Sequence, residues 1–452
     1  MSRHKLIMGP YLVNTSRWFL MAIFMASLWL WGGTRPWTVD LIRWLLLGNL
    51  LLFCAGLIAE RRFPRIPLIA TLLMMMLLAE GWWHVLDIQF HPLTEVPEGD
   101  FIPMIARFTD APLAMKAMLL ITGLIGAFCM ASDLSTSRTW FMRVWIAIAV
   151  GGVSIVALGL AQSITKAPAI FWNEHEDTGN TFFAVFRYHA NAGAFLNLLL
   201  PLVGGLCMIS VIRQWSQAAR VFWLVSFCAT LASVFVNISR GGHLVCVVMF
   251  LTAFLMVILL RPLRGTMKLG KLIIPFLSIV AGVVLLACCI GVNTSLSRWK
   301  DQQFDDSQRL LTYKVIVQNM IPEAGCFGNG AGSFRSLFAS AVEASGRPVE
   351  GNWTKAHNDH LQTIVEWGWF GYSLWIILSA WAITKGIRLT RSAELRVRIF
   401  GFCSSLSLFG ILLHGLVDFP LQISSLQLMT ALLGGMLWGM RVKQKANDIQ
   451  ID

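Results

Sequence analysis

His357-Asn358-Asp359-His360-Leu361-Gln362-Thr363-Ile364-Val365-Glu366 runs without a break into an apolar stretch, 367–384, that holds no charged residue. As a helix, such a stretch approaches the roughly 30 Å of a bilayer's hydrocarbon core. The second part therefore reads as a membrane span, and the first as its polar approach. An imidazole held where a chain enters a membrane is a plausible proton acceptor, because it changes charge close to neutral pH.

The same signature recurs from end to end. The 452 residues are 56% hydrophobic and 13% charged, a balance foreign to soluble domains. Apolar runs fall at 17–33, 41–59, 66–86, 113–132, 139–161, 191–212, 221–238, 243–260, 272–292, 367–384, 399–417 and 423–440. The expectation is an all-α, polytopic integral membrane protein of about 12 transmembrane helices. No small-residue cleavage site follows the first run and a second comes quickly, so the first reads as a retained span.

Charge orients the bundle. Segments 3–17, 61–65, 138–143, 213–220, 261–271, 385–398 and 441–445 alternate with the spans and hold 22 of the 36 Lys and Arg. Of the 24 acids, only Glu60, Asp133, Glu394, Asp448 and Asp452 fall on that side. By the positive-inside rule both termini are cytoplasmic. The net charge of +12 then reflects topology, and no nucleic-acid partner is expected. Along the chain, 1–180 reads as N-terminal helices with outer loops, 181–440 as a core and 441–452 as a cytoplasmic tail. Eight of the nine cysteines lie in predicted spans, as small apolar residues, and only Cys326 lies in an outer loop.

Three outward segments are too polar for connectors. Segment 87–112 carries Pro92, Pro97, Pro103 and Pro112 and reads as a loop. Segment 162–190 contains Glu174-His175-Glu176-Asp177 and ends in Phe186-Arg187-Tyr188-His189-Ala190-Asn191. Segment 293–366 is the longest, a large outer loop carrying short helices. Within it, 308–321 has helical periodicity that Pro322 should stop, and Gly325-Cys326-Phe327-Gly328-Asn329-Gly330-Ala331-Gly332 supplies turn material.

In this order the motifs resemble the O-antigen ligase and O-antigen polymerase family of bacterial envelope glycosyltransferases. The shared pattern covers about 180–385. It includes Thr181-Phe182 leading to Asn191 and Pro201, Ser239-Arg240-Gly241-Gly242 at a span end, Arg309 ahead of Pro322 and Gly328-Asn329-Gly330, and His357-Asn358 with Leu361, Glu366 and Gly368. Arg187-Tyr188-His189-Ala190 departs from the family's usual Asn-Pro-type context.

The resemblance implies transfer of a glycan from undecaprenyl diphosphate to an acceptor hydroxyl on the periplasmic face of a bacterial inner membrane, where segment 293–366 would be a large periplasmic loop. The acceptor is lipid A-core for a ligase, a growing lipid-linked glycan for a polymerase, or a protein Ser or Thr for an oligosaccharyltransferase. His357 takes the place of the base. Arg240, Arg309 and Arg187 take that of a diphosphate clamp, for which a guanidinium fork suits paired phosphate oxygens. Asn358, Asp359, Glu366 and His189 support them. No cofactor is implied, and the chain has no Asp-x-Asp; Glu174, Glu176 and Asp177 are the nearest metal candidates. Membrane lipid is the other expected partner.

Each residue also has a plainer reading. His357 could be a solvated loop residue, and Arg309 a solvated position on a mixed helix. Arg240 could snorkel from a span end. In a helix, Asp359, Gln362 and Glu366 share one face and could form a polar packing seam, with His357 over Leu361 and Ile364. The 385–398 cations read as headgroup contacts. A small-solute or bicarbonate transporter would need ionisable groups deep in several spans, and Glu80 and Arg43 are nearly the only ones near span interiors.

Overall fold

The computed structural model describes residues 3–90, 111–173, 181–260, 303–351 and 353–441. Every regular element among the described residues is helical, apart from one isolated bridge between Phe183 and Phe186. The long helices are α1 (Arg3–Trp29), α2 (Pro36–Glu60), α3 (Leu68–Phe90), α4 (Ala111–Ser135), α5 (Arg138–Ile164), α6 (His189–Ile212), α7 (Gln217–Val236), α8 (Arg240–Leu260), α11 (Asp359–Leu389), α12 (Leu395–His414) and α13 (Ser424–Gly439). Two short ones, α9 (Gln303–Val315) and α10 (Phe334–Ser345), lie between α8 and α11.

Nine helices among the described residues, α2 to α8 with α11 and α12, are long and apolar enough to cross a membrane. The protein is thus an all-helical polytopic membrane protein. The expected first and last spans are helical but outside the nine: α1 carries Pro10, Asn14 and Arg17, and α13 has only 16 residues. The expected span 272–292 lies outside the described residues. Two expected boundaries move. Helix α3 continues to Phe90 and α4 begins at Ala111, with Pro112 in a first turn that needs no N–H from it. Pro322 does not end its helix: α9 widens into a π turn at Ile316–Met320, and a further turn, Ile321–Ala324, takes Pro322 at its start.

The chain forms two compact units that interleave along the sequence. The first comprises Met1–Met130, Leu296–Ala380 and Leu412–Ala431. In it α1 packs along α2. At Gly56 a Cβ would lie 2.8 Å from Val13 Cγ2, the close approach that small residues permit in lipid. Helix α11 is broken at Gly368 (φ 61, ψ −174), and segment 325–332 fills the break. The Val365 and Glu366 carbonyls accept the Asn329 N–H at 3.1 Å and the Gly330 N–H at 2.8 Å, and the Phe370 N–H donates to the Cys326 carbonyl at 2.9 Å. Backbone groups that the break would orphan are therefore paired. Glu80 of α3 lies over the start of the second half-helix, its oxygens 2.7 Å from where a Gly371 Cβ would be. Its carboxylate faces the Gly371 N–H, without the alignment of a full hydrogen bond. An acid there meets the positive end of the helix dipole. Arg43 pairs with Asp40 on its own helix.

The second unit comprises Ala131–Ser295, Trp381–Ile411 and Leu432–Asp452. Its centre is α6, buried at nearly every position between α5, α7 and α8. Phe141, Trp145 and Phe400 form an edge-to-face cluster beside it, and the Trp145 indole N–H donates to the Leu202 carbonyl at 3.1 Å.

Candidate active site

In the first unit, the approach to α11 is fixed residue by residue. Asn358 caps the helix, its Oδ1 accepting the Leu361 N–H at 3.0 Å while its Nδ2 donates to the Leu416 carbonyl at 2.8 Å. That is the capping geometry favoured by Asn, and it leaves His357 outside the helix. His357 has φ of 50°, a left-handed backbone that costs a non-glycine residue about 1 kcal/mol or more. The conformation is held from α9, where the Tyr313 hydroxyl donates to the His357 carbonyl at 2.6 Å. His357 therefore does not project over Leu361 and Ile364 as a helical residue would.

Its ring faces a different partner. Nδ1 of His357 lies 3.3 Å from Oδ1 of Asp418, in the connection after α12. The two atoms are close without strict hydrogen-bond alignment. Asp418 is buried, which alone would raise its carboxyl. The hydrogen-bonding His357 and the charges of His357, Arg309 and His414 more than offset this and hold it below the usual aspartate range. Arg309 stands one turn before Tyr313 on α9, and its Nη1 donates to the Val417 carbonyl at 3.4 Å. The Tyr313 hydroxyl is pushed up to about 12, mainly by burial, with Asp418 adding to the rise and Arg309 opposing it. His357, Arg309, Tyr313 and Asp418 thus form one group.

Behind them, the polar face of α11 serves as a brace. Gln362 Nε2 donates to Glu366 Oε1 at 2.9 Å, and Gln362 Oε1 accepts the Ala356 N–H at 3.1 Å. Asp359 Oδ2 accepts the Leu421 N–H at 2.8 Å, and its own N–H donates to the Gly415 carbonyl at 2.7 Å. Lys355 donates to Gln422 Oε1 at 3.2 Å; burial lowers its amine, and the fields of Glu366 and Asp359 oppose that. Asp359, Gln362 and Glu366 do share a face, as the spacing implied, and their oxygens are engaged: Gln362 holds Ala356, Asp359 holds Leu421, and Glu366 accepts from Gln362.

The second unit gathers the other expected residues at the starts of α6 and α8. Arg187 is exposed, just ahead of Tyr188 and His189, whose rings meet at 4.7 Å. Asn237 Nδ2 donates to the His189 carbonyl at 3.0 Å. Ser239 Oγ accepts the Gly242 N–H at 3.0 Å and caps α8, which leaves half-buried Arg240 as its first residue. A Cβ on Gly193 would sit 3.1 Å from Ser239, so the two helix starts are in contact.

Sequence reasoning missed Asp418, Tyr313, Lys355 and His414. Asp418 left a faint trace, as the sole acid between α12 and α13. Among the described residues no group of three or more His, Cys, Asp and Glu could hold a metal ion; Glu174, Glu176 and Asp177 lie outside them.

Among the described residues, nine apolar helices able to cross a membrane accompany a His–Asp contact with a buried carboxylate and an arginine beside it. Residues 224–376 match the family model described as O-antigen ligase. The match takes in Arg240, Arg309, His357, Asn358, Asp359 and Glu366. No curated protein matches the chain.

Proposed function

We propose that the protein is an O-antigen ligase-type transferase that moves a glycan from undecaprenyl diphosphate to a hydroxyl of lipid A-core, at the periplasmic face of the inner membrane. The observation that carries this reading is the His357–Asp418 contact with Arg309 at its edge. Asp418 orients the imidazole through Nδ1, so Nε2 takes the proton of the acceptor hydroxyl. The acceptor oxygen bonds to the sugar's C1 as the bond from C1 to the diphosphate oxygen breaks, and the electron pair leaves with the diphosphate. Arg309, Arg240 and Arg187 are the candidate cations for that charge, which arginine can meet bidentately. Asp359 and Glu366, engaged with backbone and Gln362, are assigned to positioning. His189 and Asn358 are assigned to supporting roles, and the step needs no metal.

A transporter reading is weakened by the two ionisable groups near span interiors, because Arg43 is paired with Asp40 and Glu80 serves the start of a half-helix.

The test is transfer in vitro from a defined undecaprenyl diphosphate oligosaccharide, with lipid A-core, lipid-linked glycan and a Ser/Thr peptide as separate acceptors. Lipid A-core should be used best; preference for lipid-linked glycan would make the enzyme a polymerase. His357→Gln should slow turnover by roughly 10²-fold with donor KM little changed. Arg309→Ala or Arg240→Ala should lose most activity at normal membrane levels, with Lys restoring only part. Activity should persist in EDTA. Full turnover by His357→Gln, or no transfer by the parent to any acceptor, would overturn the reading.

A further inference from the structure

Two aromatic rings stand against the imidazole. The Trp353 indole meets the His357 ring at 5.1 Å between centroids and 78° between planes, and Phe419 meets it at 4.7 Å and 90°. Both are only half-buried. Phe419 has an evident local duty: it follows Asp418, its N–H donates to Asp418 Oδ1 at 3.0 Å, and its ring limits the tilt of His357. Trp353 lies on a different segment and has no such bond to the His–Asp pair.

Trp353 is nonetheless fixed. Its indole N–H donates to the Glu350 carbonyl at 2.8 Å, and part of the ring packs on the cluster of Val315, Ile316, Phe334 and Phe338. The strap that carries it is pinned to the preceding helical stretch. The Glu350 N–H donates to Gln308 Oε1 at 3.0 Å, Arg347 bonds to Gln318, and Tyr313 holds the strap's far end at His357. A large ring, set before any ligand arrives, thus stands beside the proposed base with part of its surface open.

Such a ring suits a pyranose. The C–H face of a sugar lies flat on an aromatic surface while its hydroxyls project from the rim. Since the indole and imidazole centroids are 5.1 Å apart, a pyranose lying on the open part of Trp353 carries its rim hydroxyls beside the His357 ring. Preorganisation of this kind strengthens binding by reducing what must be ordered on association.

We propose that Trp353 is the platform on which the terminal pyranose of the acceptor stacks, placing the attacking hydroxyl at His357. This rests on the transferase reading above and adds to it a residue that governs acceptor affinity.

The experiment uses the full-length protein in nanodiscs, saturating donor and a titration of whichever acceptor the parent uses best. Trp353→Leu should raise acceptor KM about 10-fold, the size of one lost aromatic contact, while kcat at saturating acceptor and donor KM change by less than about threefold. Trp353→Phe should recover most of the loss. Independently of turnover, acceptor glycan should bind His357→Gln protein and bind His357→Gln/Trp353→Leu protein about tenfold more weakly. If the Leu variant fails to accumulate, Trp353→Gln in both formats replaces it, with the same expectation. An unchanged acceptor KM, or a fall in kcat at unchanged KM, overturns the platform while leaving the transferase reading intact. A parent inactive with every acceptor overturns the transferase reading first.

Discussion

Nδ1 of His357 lies 3.3 Å from Oδ1 of Asp418, and the two residues come from separate connections: one precedes α11, the other follows α12. The carboxylate is buried and the imidazole partly open. This asymmetry suits a pair in which one member orients and the other meets substrate.

If Asp418 works through His357, the two substitutions should not add. Asp418→Asn alone should lower kcat roughly 10- to 100-fold, and in a His357→Gln background it should cost less than about threefold. Turnover of the four proteins at saturating substrates decides the matter. Independent, multiplying losses would place Asp418 in a purely structural role.

Asp418 should also leave a mark on stability. Its folded carboxyl sits below the ordinary aspartate value, so its contribution is complete above that value, about 3.9, and is lost as pH falls through the lower folded value. Thermal unfolding in detergent should show the parent more stable than Asp418→Asn near pH 6, with the gap closing on acidification below about pH 4. A gap that widens on acidification would contradict the assignment.

The break in α11 gives a steric prediction. A Cβ on Gly368 would lie 2.2 Å from the Cys326 carbonyl oxygen, and one on Gly328 would lie 2.3 Å from the Gly368 nitrogen, both at positive φ. Alanine at either should cost roughly 3 kcal/mol or more, through clash added to strain. Gly346 also has positive φ, but nothing lies within 4 Å of its Cβ position. Gly346→Ala should cost only the backbone term, about 1 kcal/mol. Equal losses at all three sites would remove the argument for close packing.

Orientation can be read directly. A reporter fused at Arg391 should report a cytoplasmic position, and one at Gly346 a periplasmic one, as the distribution of Lys and Arg requires. A cytoplasmic signal at Gly346 would put His357 on the wrong side for a periplasmic transfer.

The sequence alone determined the class, because bilayer thickness and hydrogen-bond economy leave an apolar run of this length one outcome, a helix. Nine of the expected spans appear among the described residues as helices able to cross a membrane. It also determined that Asp359, Gln362 and Glu366 lie together, since one helical face follows from spacing. Only tertiary structure decided what those residues touch. Nothing local in 357–366 shows that Asn358 caps the helix and turns His357 out of it, because the cap is stabilised by Leu416 from another element. Nor could spacing bring Asp418, Tyr313 and Arg309 to one imidazole, since these contacts join separate elements whose approach is set by packing. The break at Gly368 follows the same rule. A glycine in an apolar run reads as ordinary span material, and it becomes a joint only where 325–332 supplies the partners that its backbone gives up.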